Sequence, residues 1–120
     1  MIHKCFALIV PARLSGAVTV ANLDARHGSL EVLLSGRLEC IAQGDWHVYL
    51  NADQLPAELG PNIRAAQLLH DTGLDLPDVA GTAVFLGRAE HDYDADVPEH
   101  LIHRAEALFD TRLGAIQPAA

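Results

Sequence analysis

Residues 90–103, "EHDYDADVPEHLIH", bring five carboxylates and three histidines together. Carboxylate oxygens and imidazole nitrogens are the ligands of divalent cations, so the first chemistry to weigh is metal binding. Asp92, Asp94 and Asp96 repeat the first three ligand positions of an EF-hand loop. Val97 stands where that loop's sharp turn needs glycine, Pro98 follows, and His103 replaces the terminal bidentate glutamate, which excludes an EF-hand. His100 and His103, three apart, share a helix face, and His91 or an aspartate would complete a zinc or nickel site. The competing reading spends the same residues on structure. Asp96 caps a helix, Glu99 completes the capping box, and His100 and His103 fall off the apolar stripe into solvent. That second reading is the expected one, with no bound metal and no cofactor.

A second constellation is polar and uncharged. Asn51 closes a strand and Asn62 opens a helix, so their amides would meet across the connecting loop and face a ligand at the helix's positive end, with Tyr49 and Arg64 completing the pocket. Asparagine at such places also satisfies loop and helix-end backbone groups, which is the commoner outcome. His47, Tyr49 and Asn51 alternate away from Trp46, Val48 and Leu50, and a row exposed in that way suits recognition of a partner or a small ligand. No nucleophile elbow, HExxH, Walker loop or dinucleotide fingerprint occurs. Cys5 and Cys40 are far apart and flanked by apolar residues, which reads as buried, inert thiols on strands. The sequence points away from an enzyme, with no catalytic residue to name.

The elements that must position these groups follow from periodicity. "HKCFALIVPA" and "GAVTVANLD" read as a first hairpin, with Val18 and Val20 on one face. "HGSLEVLLSG" reads as a short helix capped by Ser29, carrying Leu30, Leu33 and Leu34, and stopped at Gly36. "RLECIAQGDWHVYLN" is a second hairpin turning at Gln43-Gly44-Asp45. Pro61 suits the first turn of a helix with Ile63, Ala66 and Leu69 on one face, and Gly73 closes it while Leu74 folds back on Leu69. "VAGTAVFLG" is a buried central strand. The last helix starts near Val97, with Leu101, Ile102, Ala105, Leu108 and Phe109 on its stripe. The order ββαββαβα predicts an α+β two-layer sandwich: a mainly antiparallel sheet of about five strands, helices on one face, and the other face open to a partner.

Length fits one domain over residues 1–113, followed by a flexible tail at 114–120. The 16 acidic residues against 8 Lys and Arg, a net charge of -8, repel phosphate backbones, so direct nucleic-acid binding is disfavoured; the acidity suits attraction to a basic partner, with ordinary solubility the expected reason for it. No run approaches the roughly 20 apolar residues of a membrane span, and the apolar stretch at the start is short for a signal peptide, which leaves the cytoplasm as the expected location.

"VYLNADQLPAELGPNIRAAQLL", with Tyr49-x-Asn51, a polar turn and Pro61-Asn62 opening an Ala-rich helix, resembles an uncharacterised domain family of bacteria, their phages and plasmids. "SLEVLLSGRLE", with Gly36 and Glu39, and "VAGTAVFLG" extend the resemblance over roughly residues 4 to 110. Arg37 and Leu38 stand where a second glycine and an aromatic are usual, and the His-rich last helix is another departure. The resemblance implies a compact α+β domain associated with mobile elements and carries no known reaction. The expected function is a non-enzymatic binding or regulatory domain, anti-defence or regulatory in role, acting through a protein partner or as a homodimer. The alternative is a ligand-binding or enzymatic domain with its site around Tyr49, Asn51, Asn62 and Arg64.

Overall fold

The computed structural model describes residues 4–53, 59–76 and 78–113, so the tail lies outside the described residues. Its strands are β1 (Lys4–Val10), β2 (Thr19–Asp24), β3 (Leu38–Gln43), β4 (Trp46–Asn51), β5 (Ala83–Arg88) and the two-residue β6 (Asp94–Ala95). Its helices are α1 (His27–Leu34), α2 (Ile63–Asp71) and α3 (Glu99–Phe109), with a 3-10 turn at Glu90–Asp92. The sheet runs β2-β1-β5-β4-β3, all pairings antiparallel, with β6 added on β5. The class is α+β with an antiparallel sheet, as the sequence predicts, and β6 is one strand more than expected. Central β5 is buried on both faces up to Gly87, which its unbroken apolar run requires. Both predicted hairpins form. In the second, Gln43 pairs with Trp46 around Gly44, whose φ of 61° supplies the left-handed backbone that a two-residue turn needs.

The helices do not share one face. α2 and α3 pack Ala65, Leu68, Leu69, Leu101, Ile102 and Ala105 onto Leu8, Trp46, Val48, Leu50 and Phe85. On the opposite face α1 lays Leu30 and Leu34 over Cys5, Ala7, Tyr49, Val84 and Leu86. This corrects the two-layer expectation. β1, β4 and β5 carry apolar side chains on both faces, and a single helical layer would leave one of those sets wet.

Three helix ends differ from local expectation. Ser29 does not cap α1; the helix starts at His27, and Ser29 instead donates its hydroxyl to Asp24, which also accepts the Arg26 backbone N–H. α1 stops on Ser35, at φ 60°, rather than on Gly36. Gly36 is needed for contact instead, since a Cβ there would sit 2.7 Å from Asn51 Nδ2. At α3, Asp96 makes no capping bond; its carboxylate accepts the N–H of Phe6 at 2.8 Å while Val97 N–H donates to Phe6 O. Together these two bonds tie the chain after β6 to β1.

α2 closes as expected, with Gly73 N–H on His70 O and Leu74 N–H on Leu69 O, both bonds of a Schellman end. Its buried face is Ala65, Leu68 and Leu69, whereas Ile63 is exposed, as is Leu108 on α3. The N-terminus of α2 is capped by Asn62, one residue after Pro61.

Candidate functional site

In an antiparallel sheet, directly opposed residues share a face. Cys40 opposes Tyr49, Ala42 opposes His47, His47 opposes Leu86, and Arg88 opposes Asp94, so one face collects Cys40, His47, Tyr49, Arg88 and Asp94 from four strands. His27, the first residue of α1, stands edge-on to Tyr49 with ring centroids 5.9 Å apart. His27, Cys40, Ala42, His47, Tyr49 and Arg88 line a cleft of about 350 Å³.

Asp94 organises the group. One carboxylate oxygen lies 2.6 Å from His47 Nε2 and accepts the Tyr49 hydroxyl at 2.9 Å. His47 is 2 % exposed and Tyr49 4 %, so the expected exposed row of His47, Tyr49 and Asn51 is instead buried. Burial alone would push the His47 pKa down; hydrogen bonding to Asp94 and to Cys40, with their charges, outweighs it and raises the pKa from 6.5 to about 9. The imidazole is therefore a cation at neutral pH, with Nε2–H donating to Asp94. Burial, followed by the Asp94 hydrogen bond and charge, pushes the Tyr49 phenol far above its usual range. Cys5 is buried and its thiol is raised to about 11 by burial and by the charges of Asp94 and Asp96. Cys40 is exposed, which corrects the expectation of two buried thiols.

The asparagines do not meet. Asn51 donates to Leu34 O at 3.0 Å and Ser35 O at 3.3 Å and accepts Asp53 N–H, which ties the end of α1 to β4. Asn62 donates to Val10 O and Gly81 O, both at 2.8 Å, and accepts Ala65 N–H at 2.9 Å. Arg64 Nη2 donates to the carbonyls of Pro11, Arg13 and Gly16, holding the β1–β2 connection. All three residues serve backbone, and the expected shared pocket does not form: Tyr49 lies at the cleft with Cys40, and Arg64 borders a separate one. Replacing Asn62 with Ala would leave two buried carbonyls and one helix-end amide without their partner. It is expected to cost about 3 kcal/mol in urea denaturation.

The histidines of residues 90–103 also separate. His100 Nε2 lies 2.9 and 3.0 Å from the two carboxylate oxygens of Asp45, His103 is exposed, and His91 sits at φ 59° inside the 3-10 turn. Among the described residues, no three His, Cys, Asp or Glu side chains form a group that could hold a metal ion. Sequence reasoning missed Cys40 as a member of the cleft and Asp94 as the partner of His47 and Tyr49. The Cys40–His47 proximity was readable, because counting outward from the Gly44-Asp45 turn sets the register. Asp94 was not, since its place depends on β6 pairing with β5.

Fold and cleft together define an α+β domain with helices on both faces of its sheet and a buried imidazolium–carboxylate pair beside an exposed thiol. Comparison with protein-family models, curated proteins and solved structures returns no match. Among the described residues, no helix is long and apolar enough to cross a membrane.

Proposed function

We propose that this chain is a non-enzymatic binding domain, cytoplasmic and associated with phages or plasmids, that regulates a protein partner by docking onto it. The observation that carries the reading is on α1. Val32 is 82 % exposed and Leu33 42 %, both large apolar side chains on a helix whose other face is already buried. Leu33 also borders a cleft of about 500 Å³ with Pro11 and Leu59. Apolar side chains gathered at a concave rim favour an interface over bare solvent. The net charge of -8 suits a partner whose seat is rimmed by basic side chains.

The test pairs the wild type with a Val32→Glu, Leu33→Glu double variant in affinity purification from host lysate. The wild type is expected to retain a stoichiometric protein and the double variant to lose it at an unchanged melting temperature. A wild type that retains nothing, or a variant that retains as much, overturns the proposal. Light scattering on the pure protein reads the homodimer: doubling of mass that the variant abolishes would make the partner a second copy. Part of the ligand-binding alternative keeps support, since His47 and Tyr49 border one cleft and Arg64 another, whereas the side-chain amides of Asn51 and Asn62 are engaged by backbone.

A further inference from the structure

Cys40 is exposed on the edge strand β3, on the sheet face that also holds Cys5 on β1. β5 and β4 lie between those two strands, so at about 4.8 Å per strand the two cysteines are more than about 14 Å apart, beyond the reach of a disulfide. Any disulfide formed by Cys40 must therefore be with an external sulfur. Cys40 is also in company. His47 lies diagonally across the hairpin and lines the same cleft, and Asp94 holds that imidazole through Nε2 at 2.6 Å. Arg88 and His27 complete the wall of the cleft into which Cys40 opens. An exposed thiol thus shares one cleft with an imidazole and a guanidinium, where a small disulfide can reach it.

We propose that Cys40 is a reactive thiol that exchanges with low-molecular-weight, carboxylate-bearing disulfides and carries one half of them as a mixed disulfide in this cleft. His47 acts as its charge partner and Asp94 as the positioning residue for His47. The exchange balances without a further reactant. The Cys40 sulfur attacks one sulfur of the small disulfide, a new S–S bond forms, the old one breaks, and the departing thiolate takes a proton from solvent. Cys40 is oxidised and the departing sulfur reduced. Acyl transfer would also demand preorganised donors for an oxyanion, whereas exchange asks only for a thiolate, access and room for the leaving thiol. The cleft's volume, at the small end of ligand sites, and the Arg88 and His27 side chains on its wall suit a compact anionic ligand.

The test is incubation of the native, reduced protein with oxidised glutathione at pH 7, followed by intact-mass and peptide analysis. The expected result is a single glutathione adduct on the Cys40 peptide, formed about tenfold faster than on an unstructured peptide of the β3 sequence. Cys40→Ser is expected to abolish the adduct. Arg88→Gln is expected to slow exchange with oxidised glutathione several-fold while leaving exchange with the neutral 2-hydroxyethyl disulfide unchanged. An adduct on Cys5, no adduct, or a rate no greater than the peptide's overturns the proposal, and equal slowing of both disulfides by Arg88→Gln overturns the anionic-ligand part of it.

Discussion

Asp94→Ala is expected to lower the melting temperature by more than about 10 °C. Its carboxylate is the acceptor shared by His47 and Tyr49, whose side chains are almost wholly out of water. Removing one partner of a buried pair strands the other, at a cost of about 3 to 5 kcal/mol, and each kcal/mol is worth about 4 to 8 °C in a domain of this size. The same pair sets a pH dependence. The folded-state pKa of His47, about 9, lies above its ordinary 6.5, so the native state keeps a proton that the unfolded chain has released. The stability this supplies is fully present below pH 6.5 and is lost as pH rises through about 9. At 1.36 kcal/mol per unit it amounts to about 3 kcal/mol. His70, raised by Asp75 but exposed, adds a screened contribution of the same sign, and Cys5 begins to contribute only above pH 9. Urea midpoints of the wild type and Asp94→Ala across pH 6 to 9 therefore isolate His47 by difference. Parallel profiles would mean that Asp94 does not hold the imidazole in its charged form.

Gly87→Ala is the second large effect. A Cβ at this position would lie 2.1 Å from the carbonyl oxygen of Asp96 and 3.0 Å from its carbon. Both are backbone atoms, so no rotamer relieves the overlap, and β6 must leave β5. That movement takes with it Asp94, which anchors His47, and the Asp96 and Val97 bonds to Phe6 that join the end of β6 to β1. A loss of about 3 kcal/mol is expected, together with a fall of the His47 pKa toward 6.5 read by NMR titration. Gly28 serves as the control. It lies in α1, and a methyl group added there would meet nothing within 4 Å, so Gly28→Ala is expected to stabilise the protein by about 0.5 to 1 kcal/mol. A Gly87→Ala protein as stable as the wild type would show that β6 does not cross so closely over β5.

Where a feature is decided within a few residues, the sequence determined it. The Gly44-Asp45 turn fixed the register of β3 and β4, alternation put Trp46, Val48 and Leu50 opposite to His47, Tyr49 and Asn51, and Gly73 closed α2 with Leu74 folded back. These outcomes rest on backbone dihedrals and on the two-residue period of a strand, which are local. Local chemistry also proposed what the tertiary structure overruled. Asp96 had the spacing of a helix cap, yet Phe6, 90 residues away in sequence, takes its carboxylate. The sequence put His47 and Tyr49 on one face but not what would cover it, because α1 and β6 come from either side of that hairpin in the chain. Only the fold placed Asp94, 47 residues from His47, close enough to keep a buried imidazole charged. Which distant group reaches a buried polar atom depends on how whole layers pack, and no spacing in the chain encodes that distance.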